Sequence, residues 1–108
     1  MSYNLFLDDK KTPKMCRDYP GDNSIYDSEE FVCVTSYDEF YKTLKENGVP
    51  KFVSFDYQIL GDEDGLECAK FLKFFCEDLN FPLPEWNVHS NWPGICGEFV
   101  KILGGKID

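Results

Sequence analysis

The sequence predicts an α/β domain, a small parallel sheet of about four strands with flanking helices. Three observations carry that prediction. Four short runs rich in aromatic and β-branched residues recur along the chain, each bounded by Pro, Gly, Asp or Asn. Segments with helical apolar spacing lie between the later runs. Strands that alternate with helices pair in parallel, because the crossover helix returns the chain to the same edge. At 108 residues, 43% hydrophobic and 17% aromatic, the chain has enough apolar mass for one core, and residues 1–108 read as a single domain.

Residues 3–8 (YNLFLD) form the first predicted strand. Residues 10–30 are polar and contain Pro13, Pro20 and Gly21, so a long loop is expected where a first helix would stand. The second strand is residues 31–35 (FVCVT). Ser36 and Glu39 then form a capping-box pattern, and Tyr37, Phe40, Tyr41 and Leu44 fall on one helical stripe. Gly48 and Pro50 end that helix. Residues 51–57 (KFVSFDY) read as strand three, and GDEDG, residues 61–65, as a turn with a helix cap. The next helix spans about residues 65–79. It turns Ala69, Leu72, Phe75, Cys76 and Leu79 inward, with Phe71 and Phe74 widening the face. Residues 85–89 (EWNVH) make strand four, and SNWPG leads into a last helix, residues 94–103, burying Ile95, Phe99, Ile102 and Leu103. No clear fifth strand follows.

Eleven basic residues face twenty acidic ones, a formal charge of −9. That balance opposes nonspecific DNA or RNA binding, while a single phosphate held by a local cation or metal stays compatible with it. The five cysteines are odd in number, form no CxxC pair, and accompany one histidine, which argues against a zinc site or a disulfide scaffold. A reducing cytoplasm is the expected compartment. No signal peptide and no 18-residue apolar run is present, so no membrane association is expected.

In a parallel sheet the C-terminal strand ends share one rim, where ligands bind. Asp8 and Asp9 close strand one, Asp56 closes strand three, and His89 and Ser90 close strand four. Aspartate also favours turns for its own sake, but three carboxylates on one rim suit Mg²⁺ or Mn²⁺, which take oxygen ligands. Asp8, Asp9 and Asp56 are therefore the candidate metal ligands. His89 is the one available imidazole for acid–base work and, with Asp56, the candidate catalytic residue. Ser90 and Asn91 can hydrogen-bond phosphate, or simply build a turn. Lys10, Lys11 and Lys14 could neutralise a substrate phosphate or equally form a solvated loop, and the loop reading leads for Lys14. Tyr57, Trp86 and Trp92 read as core, rim or base-stacking residues, with the core expected for Trp86.

The runs FLDD…P and SFDYQILGDEDGLECAKFL resemble a response-regulator receiver domain, which implies a receiver/flavodoxin-like fold. That resemblance would make Asp8 and Asp9 the acidic pair and Asp56 the phospho-acceptor, with Mg²⁺ between them. The segments LDDKKTP, SFDYQILGDEDG and VHSNWPG, in order, resemble more closely the cyclic-phosphate-processing receiver-like domains. Lys11 then stands where that family tends to have Arg, a cation beside the acidic pocket, which makes it the candidate phosphate contact, and Gln58 stands where the family has a second Asp. The resemblance implies a metal-dependent phosphoesterase acting on cyclic phosphates, in nucleic-acid ends or small cyclic nucleotides. The alternative is a non-catalytic receiver-like module that binds or inhibits a protein partner.

Overall fold

Every predicted strand forms, one to three residues shorter than its apolar run. In the computed structural model, which describes residues 3–17, 31–90 and 92–104, the strands are β1 (Asn4–Leu7), β2 (Phe31–Val34), β3 (Phe52–Phe55) and β4 (Glu85–Val88). The helices are α1 (Pro13–Arg17), α2 (Tyr37–Asn47), α3 (Gly65–Asp78) and α4 (Ile95–Leu103). All pairings are parallel, in the order β2-β1-β3-β4. The order reverses between β1 and β3, the switch point at which such sheets open a ligand crevice.

The expected loop at residues 10–30 is not all loop. The described part contains α1, because Thr12 caps it and Pro13 occupies its first turn. The Met15 N–H lies 3.0 Å from the Thr12 carbonyl and 3.3 Å from its hydroxyl, and Pro at the first helical position loses no hydrogen bond. Residues 18–30 lie outside the described residues.

The capping box at α2 is also half corrected. Ser36 Oγ accepts from the Glu39 N–H, as expected. The Glu39 carboxylate instead accepts from the Thr35 N–H and hydroxyl, 2.7 and 2.5 Å away. The reciprocal bond thus moves one residue back and ties the end of β2 to α2. Gly48 ends the helix at φ +83°, donating to the Leu44 carbonyl, a conformation glycine adopts without steric cost. Asp64 caps α3 by accepting from the Glu67 N–H, so GDEDG is a turn and cap.

Residue alternation splits the strands between two faces. Leu5, Leu7, Val34, Val53 and Phe55 join Phe40 and Leu44 of α2, Cys68, Ala69, Leu72 and Cys76 of α3, and Ile95, Phe99 and Leu103 of α4 in one core. Trp86 packs against it, edge-on to Phe55. Burying each such Leu or Phe contributes about 1.5–3 kcal/mol. Cys68 and Cys76 serve as small apolar side chains there, and burial pushes both thiols up. Tyr41 and Leu79 are expected to be inward and are exposed, as is Phe74 at 64%. They lie at the edge of stripes that the core is too narrow to cover. Phe71 is half-buried against Tyr37 and Tyr41.

The other face carries Phe6, Phe31, Phe52 and Ser54, with Phe31 edge-on to both Phe6 and Phe52. This polar-tipped face leads to the candidate site. Among the described residues, no helix is long and apolar enough to cross a membrane.

Candidate functional site

The strand alternation continues past the strand ends. Asp8 follows Asn4 and Phe6, Asp56 follows Phe52 and Ser54, and His89 follows Asn87. The ladder also continues: the Asp8 N–H donates to the Val34 carbonyl and the His89 N–H to the Phe55 carbonyl, each at 3.0 Å. Adjacent strands therefore deliver Asp8, Asp56 and His89 to one side of the rim. One ligand-capable atom from each lies within 4.8 Å of the other two, a grouping that can hold a metal ion.

Asp8 is the centre of this arrangement, its side chain 1% exposed. Its Oδ1 accepts from the Lys10 and Lys11 N–H groups, both at 2.8 Å, which folds the LDDKK turn around the carboxylate. Its Oδ2 lies 2.8 Å from His89 Nε2. Burial pushes the Asp8 carboxyl up, but the hydrogen bonds from His89, Lys11 and Lys10 outweigh burial and hold it below its ordinary value.

His89 is also enclosed, with its side chain 4% exposed. Its ring stacks on Phe6 at 4.5 Å and 7°. Its Nδ1 lies 2.7 Å from Ser54 Oγ, and that hydroxyl donates to Asn87 Oδ1, also at 2.7 Å. Both ring nitrogens are thus engaged.

Asp56 is half-buried, and its Oδ1 accepts from the Tyr57 N–H at 2.8 Å. Burial, then the nearby Asp8 carboxylate, raise its carboxyl above the ordinary value, against smaller opposing effects that include His89 and Lys11. Gly65 fixes this loop. Its N–H donates to the Tyr57 carbonyl at 2.7 Å, and a Cβ there would fall 1.8 Å from the Asp56 carbonyl oxygen. The Leu60 N–H donates to the Thr35 carbonyl at 3.1 Å, anchoring the far side of the turn to β2.

A cavity of about 170 Å³ opens here, lined by Asp8, Asp9, Lys10, Lys11, Asp56, Gln58, Ser90 and Trp92. The structure therefore brings Asp8, Asp9, Asp56, Lys11 and Ser90 to one cavity and sets His89 behind Asp8. Ser90 Oγ accepts from the Trp92 N–H at 3.3 Å. Asn91 lies outside the described residues, and Lys14 is exposed on α1. Ser54 and Asn87 were not expected at the site. The available signal was alternation, since each stands two residues before a rim residue on the same face.

A four-stranded parallel sheet with an acidic rim at the β1/β3 switch point is the receiver-like class of α/β domain. Residues 3–103 match the family described as the cyclic-phosphate processing receiver domain, and the chain belongs to that family. No curated protein matches the chain.

Proposed function

We propose that the chain is a metal-dependent phosphoesterase that opens cyclic phosphates at the 170 Å³ cavity. The observation that carries this reading is geometric: Asp8, Asp56 and His89 each bring a ligand-capable atom within 4.8 Å of the other two, at a cavity lined by Asp8, Asp9 and Asp56. Two carboxylates whose repulsion is felt by one of them suit a divalent cation, which removes that repulsion. The donor set fits Mg²⁺ or Mn²⁺. Asp56 and Asp9 face the cavity, Asp8 adds its charge and its remaining lone pair, and all are oxygen donors. Such an ion supplies Lewis-acid polarisation of a phosphoryl oxygen and a more acidic water.

The residues themselves do the rest. Lys11 lines the cavity near enough to favour ionised Asp56, where its positive charge can also meet a phosphate oxygen. Ser90, which also lines the cavity, offers a hydroxyl to the phosphate. Asp56, which lines the cavity, takes the proton of the attacking water or returns it to the leaving alkoxide. The new bond joins water oxygen to phosphorus, one ring P–O ester bond breaks, and the proton ends on the freed hydroxyl, giving a phosphomonoester. His89 works through Asp8: its Nε2, 2.8 Å from Asp8 Oδ2, holds the buried carboxylate in place.

The test is ³¹P NMR of a nucleoside 2′,3′-cyclic monophosphate incubated with the full chain and Mg²⁺ or Mn²⁺. The expected result is replacement of the cyclic resonance by a monoester resonance, slowed roughly a hundredfold or more in Asp56→Asn. An unchanged cyclic resonance with both metals rejects the proposal.

A further inference from the structure

A second cavity adjoins the acidic one. It measures about 580 Å³, within the range of small-molecule sites, and runs between α3 and α4. Trp92 lines both cavities, and Tyr57, which follows Asp56 directly, lines the larger one. The two rings lie 5.5 Å apart with Trp92 51% exposed, a large aromatic surface left open at the boundary. Leu66 and Ile102 supply the apolar wall beyond it.

The charges in this groove are balanced. Lys101 pairs with Glu98 at 3.4 Å, and Lys70 with Glu67 at 3.1 Å. A polyanionic strand would find little net attraction here, in a chain of charge −9. A flat, neutral, heteroaromatic group finds a stacking face and an apolar wall.

We infer that this groove is a nucleobase subsite, holding the base of a nucleoside whose cyclic phosphate sits in the acidic cavity. The inference rests on the proposed phosphoesterase reading and adds what that reading leaves open: the group attached to the phosphate. Trp92 is the stacking platform, Tyr57 supports it, and the Asp56–Tyr57 step sets the distance from base to phosphate. The occupant is a nucleoside 2′,3′-cyclic phosphate, free or at the end of a short strand.

Binding and turnover of adenosine 2′,3′-cyclic phosphate are compared with those of glycerol 1,2-cyclic phosphate, which has the same ring but no base. The wild-type chain is expected to favour the nucleoside by roughly tenfold in kcat/KM, and Trp92→Ala to reduce that preference to within about twofold. The Trp92 indole N–H resonance is expected to move with adenosine cyclic phosphate and not with the glycerol compound. A dinucleotide with the same cyclic end assigns the groove to a strand terminus if it binds more tightly than the mononucleotide, and to a free nucleotide if more weakly. If both cyclic phosphates are opened with equal efficiency and Trp92 does not respond, the subsite is rejected and the phosphoesterase stands. If neither is opened or bound, the underlying reading falls and the subsite with it.

Discussion

Asp8 and Asp56 differ in how the fold treats their charge, and pH separates them. Asp8 has a folded value below 3.8 once its donors outweigh burial. Its stabilising contribution is present above the unfolded value and is lost as pH falls through the lower folded one. Asp56 has a folded value above 3.8, so the fold prefers it protonated and ionisation costs stability as pH rises. Asp56→Asn is therefore expected to raise the melting temperature of the metal-free chain by roughly 2–5 °C at about pH 7. The gain should shrink at about pH 3, where the wild-type carboxyl is already protonated, and also in Mg²⁺, which offsets the wild-type cost. Thermal melts at the two pH values check this, and a lower melting temperature for Asp56→Asn at neutral pH would contradict it. The three acids were legible in the sequence because strand-end position alone places them. The enclosure of His89 was not legible, because it depends on Ser54 and Asn87 meeting laterally across the neighbouring strands β3 and β4.

At the scale of elements, the junction between β3 and α3 carries the site. Gly65 lets the first turn of α3 touch the Asp56 backbone. Gly65→Ala is expected to cost about 2 kcal/mol or more and to displace the Asp56 loop. Gly97 is the control: it is an exposed helical glycine of α4 where a Cβ would meet nothing within 4 Å. Gly97→Ala is expected to stabilise by about 0.5–1 kcal/mol. Denaturant titration of both variants reads the contrast, and equal effects would show that the Gly65 contact is not limiting. Caps and stripes gave most elements correctly from sequence, since Ser36, Gly48 and Asp64 act locally. The helix α1 was missed although Thr12-Pro13 is a local start signal, because the polar run around it reads as loop.

Across the whole molecule, the fold reduces to a parallel sheet whose switch point gathers acids from β1 and β3 and a histidine from β4. The order β2-β1-β3-β4 and the two-faced division of the strands were not read from the sequence, but the parallel pairing followed from strand–helix alternation. The groove between α3 and α4 did not, because it depends on how two helices separate near Trp92. The central claim is that the rim is a specific cation site and not merely part of a chain of charge −9. The turn at Asp62, Glu63 and Asp64 lines an adjoining cavity of about 430 Å³, which shares Asp9, Lys10 and Gln58 with the rim cavity, and it provides an internal comparison. The most direct measurement is a substoichiometric Mn²⁺ titration followed by amide resonance broadening. Asp8 and Asp56, which do not line that adjoining cavity, are expected to broaden first, well before residues 62–64, and Asp56→Asn is expected to remove this preference. Broadening that begins at residues 62–64, or spreads evenly over all the acidic residues, would contradict it.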